Sequence, residues 1–273
     1  MGRNFYKFWV YFVLALFAFI MVMPFIWMIF SSFKPIEEFD IYPPKWFPIK
    51  WTLGNFQELF YKWNFKRYFG NSLFVSVVST ILNLFLSSMA AFGFSKYEFP
   101  GRLKFFFYLL MLTLIPWPVT IIPLYIMAVK ARVVDTYFAL IFTGILSIGN
   151  IFLIKQYMTS IPDSLIDAAR IDGASEFYIY LRIVLPLCKP VLATVLIFTF
   201  ISTWNAFIWP LLVVNRDEIR TLPLAVARFR QRYYYAQNLV VSASSIAIIP
   251  IILLFLTVAK NYVRGIHLTG VKE

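Results

Sequence analysis

Four carboxylates, Asp163, Asp167, Asp172 and Glu176, fall in one short stretch of this 273-residue chain. At a membrane interface such a cluster would suit acid–base chemistry on a lipid-linked sugar. Other reactive groups are scarce. There is one Cys, Cys188, and one His, His267. No disulfide can close within the chain, and no Cys/His metal cluster can be built, so no metal site is expected. No GxxxxGK[ST] phosphate loop and no GxSxG nucleophile motif occurs. The chain is read as having no ATPase site, no catalytic residues and no cofactor of its own. A second set of residues offers recognition rather than reaction. Trp204, Asn205 and Trp209 combine aromatic faces with an amide, which suits a carbohydrate route. The same tryptophans also fit an interfacial aromatic belt.

The elements that position these groups are read from composition. The chain is 61% hydrophobic and only 14% charged, whereas soluble domains are roughly a quarter charged. That excludes a soluble domain and a disordered chain alike. The net charge of +12 then points to an anionic lipid surface and not to nucleic acid. Six charge-free runs of 26, 28, 25, 19, 26 and 27 residues separate Lys7 from Lys34, Arg67 from Lys96, Lys104 from Lys130, Asp135 from Lys155, Lys189 from Arg216, and Arg232 from Lys260. Each approaches or exceeds the roughly 20 apolar residues that a spanning helix needs. They are continuous rather than alternating, so helices are expected and not barrel strands.

The expected class is an all-α integral membrane protein of one domain. Its six spans are placed at 10–31, 72–94, 105–129, 137–157, 188–211 and 242–262. Prolines in the third run predict kinks there. Ser76, Ser79, Thr80, Asn83, Ser87 and Ser88 predict a second helix buried in the bundle or facing a pathway. Charge does not orient the bundle. One face would carry 12 Lys/Arg and the other 13, so the positive-inside rule is silent. No run contains Asp, Glu, Lys, Arg or His, which argues against an ion-coupled secondary transporter.

Between the fourth and fifth runs, residues 160–186 read as a helix–turn–helix elbow outside the bilayer. Pro162 and Asp163 suit the first turn of a short helix. Leu165, Ile166, Ala168, Ala169 and Ile171 give it an apolar side. Asp172-Gly173 is a stop signal, with glycine suited to a left-handed cap. Ser175 is suited to cap the second helix, with Glu176 in its first turn. Such an elbow is a rigid knob, continuous with two membrane helices. It also fits an amphipathic connector resting on the membrane surface.

Asp167-Ala168-Ala169, Asp172-Gly173-Ala174 and Ile183-Val184-Leu185-Pro186 resemble the EAA motif of ABC importer permeases. Asp167 stands where that motif has Glu, keeping the carboxylate one methylene shorter. Pro24-Phe25-Ile26-Trp27-Met28 with Ser31, Ser32 and Lys34 is similar to the end of the family's first helix. Trp204-Asn205, Phe207, Trp209-Pro210-Leu211 and Thr221-Leu222-Pro223 resemble its fifth helix and following loop. The tail, 263–273, is similar to the end of the carbohydrate-importer branch, one residue shorter.

The resemblance implies a permease subunit of a binding-protein-dependent sugar importer with the MetI-like fold, in a bacterial-type cytoplasmic membrane. Both termini and the elbow would be cytoplasmic. Asp167, Ala168, Ala169, Asp172 and Gly173 would dock on a dimeric ATPase, which would bind the ATP and Mg. A second homologous permease would complete the pathway, and a solute-binding protein would deliver the sugar. No nucleic acid is implied. Arg228, Arg230 and Arg232, in a basic and aromatic loop, would touch the solute-binding protein. They suit an interface anchor equally well.

Overall fold

The computed structural model describes residues 2–232 and 236–258. Every regular element among them is helical. Three helices are long and apolar enough to cross a membrane: α1 (Gly2–Ser31), α3 (Phe65–Lys96), and the last, Gln237–Val258. A short α2 (Gly54–Lys62) stands between the first two. The third predicted span is broken instead of merely kinked. It forms α4 (Arg102–Leu112) and α5 (Trp117–Lys130), bent by 95°. Pro116 is the extended N-cap of α5 and Pro118 sits in its first turn. A proline ring fits that turn but cannot continue the preceding helix.

The fourth predicted span, 137–157, is two helices: α6 (Tyr137–Phe142) and α7 (Ile148–Thr159). At about 1.5 Å per residue they rise roughly 9 and 18 Å, so neither alone covers a hydrocarbon core of about 30 Å. Thr136 and Ser147 start them, their hydroxyls accepting the N–H of Ala139 and Asn150. In the charge-free run, Ser147 is the one local sign of the second cap, and the run reads as a single span. Residues 160–186, where the elbow is expected, hold α8 (Asp163–Ile171) and α9 (Glu176–Leu187). A bend of 82° then leads into α10 (Lys189–Trp204). The fifth predicted span, 188–211, breaks after Trp204 and resumes as α11 (Ile208–Val213). Helix α12 (Leu222–Arg232) precedes α13 (Gln237–Val258). The predicted sixth span began at 242 and ended at 262. Residues 259–262, like the tail 263–273, lie outside the described residues.

The chain divides into two units. One holds Met1–Arg67 and Ala225–Pro250, and the other Tyr68–Leu224 and the residues from Ile251. In the first unit, the apolar length of α1 is not buried at all. Its end is held by a polar knot. The Asn55 side chain donates to the carbonyls of Ser32 and Lys34, at 2.9 and 2.8 Å, and accepts from Asn238 at 2.8 Å. Ser242 also donates to the Ser32 carbonyl, at 2.9 Å. The Ser31-Ser32-Lys34 signature thus lies where backbone carbonyls need partners. Lys34 is buried and donates to the Lys45 carbonyl at 2.5 Å. Burial lowers its pKa, partly opposed by Glu38.

In the second unit, one core forms around Ala91, Phe106, Ile154, Met158, Ile166, Ile179 and Tyr180. Another gathers Val75, Ala139, Leu140, Trp209 and Val213. The small polar residues of α3 are all buried, as the sequence led one to expect.

Candidate functional site

The elbow is built by local chemistry. Gly173 takes φ +81°, a conformation that costs a residue with a Cβ about 1–2 kcal/mol. It therefore stops α8 and turns the chain. The Ser175 hydroxyl accepts the N–H of Tyr178 and starts α9. The apolar side of α8 proves to be two faces. Ile166 and Ala169 are buried in the unit's own core. Leu165, Ala168 and Ile171 point outward, Ile171 being 87% exposed. Asp167, Asp172 and Gly173 are also exposed. Of the five expected docking residues, only Ala169 faces inward.

Cations brace this elbow. The Arg170 guanidinium donates to Glu176 at 2.7 and 3.2 Å and to Asp167 at 3.1 Å. These bonds, led by Glu176, raise its pKa. Tyr97 donates to Glu176 at 2.6 Å. Burial and this bond push the Tyr97 phenol up to about 12. Lys96, its side chain only 2% exposed, donates to the Ile161 carbonyl at 2.5 Å and to Asp163 at 2.6 Å. Lys96 and Tyr97 end α3, so the elbow is latched to that helix. Sequence reasoning missed both residues. Their only signal was the end of a charge-free run. Three of the four clustered carboxylates are thus held by fixed cations. They are structural partners, not a free acid–base set.

The second feature is a cavity of about 530 Å³ in the same unit. Three helix breaks meet there. Trp117 opens α5, Thr143 and Gly144 follow α6, and Asn205 to Phe207 separate α10 from α11. Broken backbone at membrane depth is tolerated where it is buried in protein or lines a wet cavity. Beneath it lies a polar girdle. Asn83 donates to the Gly144 carbonyl at 3.0 Å, and Asn150 donates to Asn83 at 2.7 Å and to Thr199 at 3.0 Å. A Cβ on Gly144 would lie 3.0 Å from the Ser79 Cβ and 3.1 Å from the Thr203 Cγ2. Glycine there lets the α6–α7 break approach α3 and α10.

The predicted pathway residues separate. Asn205 and Trp209 line the cavity. Trp209 is held by its indole N–H, which donates to the Ala139 carbonyl at 2.8 Å. Trp204 does not line it. It is 2% exposed, stacked on Phe200 at 5.8 Å and edge-on to Phe69 at 5.5 Å. Arg228 is exposed on α12, and its neighbour Phe229 packs on Trp63 at 5.1 Å. The basic stretch is therefore helical as far as Arg232 rather than an open loop. The side chains of Arg230 and Arg232 lie outside the described residues. Among the described residues no group of His, Cys, Asp and Glu could hold a metal ion.

Apolar spans, broken helices around an uncharged cavity, and a braced polar elbow define a polytopic membrane protein built to pass solute. The chain belongs to the family of binding-protein-dependent transport system inner membrane components, whose model matches residues 83–267. It is 34% identical to the arabinooligosaccharides transport system permease protein AraQ of Halalkalibacterium halodurans, over 94% of each chain. It is 29% identical to the diacetylchitobiose uptake system permease protein DasC of Streptomyces coelicolor, over 92% of each. Among solved structures, a bacterial ABC transporter involved in the import of the acidic polysaccharide alginate matches with a TM-score of 0.82 and 22% identity. That match covers 95% of this chain and 97% of the other.

Proposed function

We propose that this chain is one permease subunit of an ABC importer for sugars or oligosaccharides, forming half of the translocation pathway. The observation that carries the reading is the elbow. It presents Leu165, Ala168 and Ile171 outward on a helix rigidly latched to α3. An apolar knob of this kind, unmatched by the chain's own core, fits a socket on another protein. The ATPase dimer is that partner, and it binds the ATP and Mg. A second homologous permease supplies the other half of the pathway, and a solute-binding protein delivers the sugar outside. The names of the relatives support the substrate class.

In this reading the chain crosses the membrane six times. Besides α1, α3 and α13, the bent pair α4–α5 counts as one span, α6 with α7 as another, and α10 with α11 as the last. Both termini and the elbow are cytoplasmic. ATP-driven closure of the ATPase dimer moves the elbow, and the latch at Lys96 and Tyr97 carries that movement into α3. Arg228, on α12, is assigned to contact with the solute-binding protein.

The test uses Ile171→Asp and Ala168→Arg, which alter the outward face and leave the core of α8 intact. Both variants are expected to lose ATPase co-purification and ATP-dependent sugar uptake. Undiminished co-purification in both would sink the docking reading. Ala169→Asp is a poorer probe, because Ala169 is buried in this chain's own core.

A further inference from the structure

The cavity where the helix breaks meet has a chemical character that the importer reading does not by itself specify. Trp117 and Phe207 offer ring faces, while Thr143, Ser202, Asn205 and Thr221 offer hydroxyls and an amide. No Asp, Glu, Lys or Arg lines it among the described residues. Its volume of about 530 Å³ falls within the range of about 300–1,000 Å³ usual for small-molecule sites.

Thr221 is the most telling residue. It is only 5% exposed, and its Oγ1 has no hydrogen-bond partner among the described residues. A buried hydroxyl left alone costs about 1–3 kcal/mol, and buried polar groups are otherwise partnered. Thr221 therefore brings unspent hydrogen-bonding capacity to a lining that also carries Trp117 and Phe207.

We propose that this cavity is a subsite for one or two uncharged sugar rings during passage. Trp117 and Phe207 pack on the apolar ring faces, and Asn205, Thr143 and Thr221 bond the hydroxyls. A sugar presents just these two surfaces, apolar C–H faces and a polar rim, whereas an amino acid or peptide would bring charges. A uronate would bring a carboxylate, and a carboxylate taken into a site without a countercharge is strongly disfavoured. The subsite on this chain thus selects neutral saccharides over acidic ones. The broken helices supply the room, since irregular backbone near the midplane is where transporters commonly place substrate. This proposal rests on the importer reading and sharpens its substrate class.

The test uses the assembled importer, with partner permease, ATPase and binding protein, in proteoliposomes. ATP-dependent uptake is measured for arabinotriose, raffinose and trigalacturonate. A neutral saccharide is expected to be taken up and trigalacturonate is not. For the transported sugar, Asn205→Leu and Thr221→Val should each lower the maximal rate about three- to tenfold, the equivalent of one hydrogen bond. The half-saturating concentration, set by the binding protein, should stay put. Thr221→Ser, which keeps the hydroxyl, should recover most of the rate. A general folding defect would instead lower the yield of assembled complex. Wild-type rates in both Asn205→Leu and Thr221→Val would overturn the subsite. Trigalacturonate carried as fast as a neutral sugar would do so too, leaving the importer reading intact. Failure of the wild-type complex to take up any of the three with ATP would overturn both.

Discussion

At the Lys96 end of α3 the contacts are ionic and partly open to water; around Asn83, further along the helix, they are uncharged and buried. Asn83 lies 13 residues before Lys96, a rise of roughly 20 Å along the helix. At the first end Arg170, Glu176, Tyr97, Lys96 and Asp163 fix an exposed elbow. At the second, Asn83, Asn150, Thr199 and the Gly144 carbonyl bond one another beneath a cavity. Exposed ion pairs contribute little to stability, about 0–1 kcal/mol. In the proposed docking, they hold a shape against a partner. Buried amides have no water to fall back on, so they hold the bundle itself. One end is built for position and the other for cohesion.

The strongest way to break this contrast is Gly144→Val. Its Cβ alone would press on Ser79 and Thr203, and overpacking of this kind costs about 1–3 kcal/mol. A lower thermal midpoint of the purified complex, with uptake abolished, is expected. Next comes Asn83→Leu, which strands the Asn150 amide and the Gly144 carbonyl. A loss of about 1–2 kcal/mol is expected in denaturant titrations. An unshifted midpoint would show that the girdle is not cohesive.

Arg170→Met probes the other end. Its stability effect should stay below about 1 kcal/mol, while the ratio of sugar transported to ATP hydrolysed falls. If Arg170→Met destabilises as much as Asn83→Leu, the distinction between the two ends collapses.

The smallest effects are with pH, and they run in opposite senses. Burial and Glu176 raise the Tyr97 pKa to about 12, above an unperturbed value of about 10. That contribution is complete below about pH 10 and is lost as pH rises through about 12. Asp135 precedes α6. Burial would raise its pKa, but the N–H groups of Arg216 and Asn215 and the Arg216 guanidinium together hold it below the ordinary value. Its contribution is present above an unfolded pKa of about 3.9 and is lost as pH falls through the lower folded one. Comparing Tyr97→Phe and Asp135→Asn with the parent should show differences that vanish in alkali and in acid, respectively.

The elbow was legible because its signals are local. A proline, a glycine followed by a serine cap, and acidic residues in two first turns all act within a few residues. The same short range explains what was misread there. The apolar residues of α8 looked like one side, and only the packing of α7 and α9 decided that Ile166 and Ala169 turn inward while Ile171 turns out. Trp204 and Trp209 were equivalent as aromatic residues beside Asn205. The break after Trp204 sends one into the core and the other to the cavity wall. The breaks at 113–116 and 143–147 were hidden inside uniform hydrophobicity. Proline hinted at the first; Thr143-Gly144 and Ser147 marked the second only faintly among the apolar residues around them.

By itself, the sequence determined that the chain is a membrane protein of apolar helices with a charged, capped helical turn between two of its apolar runs. Those follow from the transfer cost of charge and from capping chemistry, which each residue carries wherever it goes. Only the tertiary structure decided which helices break, which face of the elbow is free, and that three breaks enclose one uncharged cavity. Those depend on which distant groups meet. Hydrocarbon-loving residues look alike until a neighbouring helix supplies the carbonyl, the amide or the missing wall.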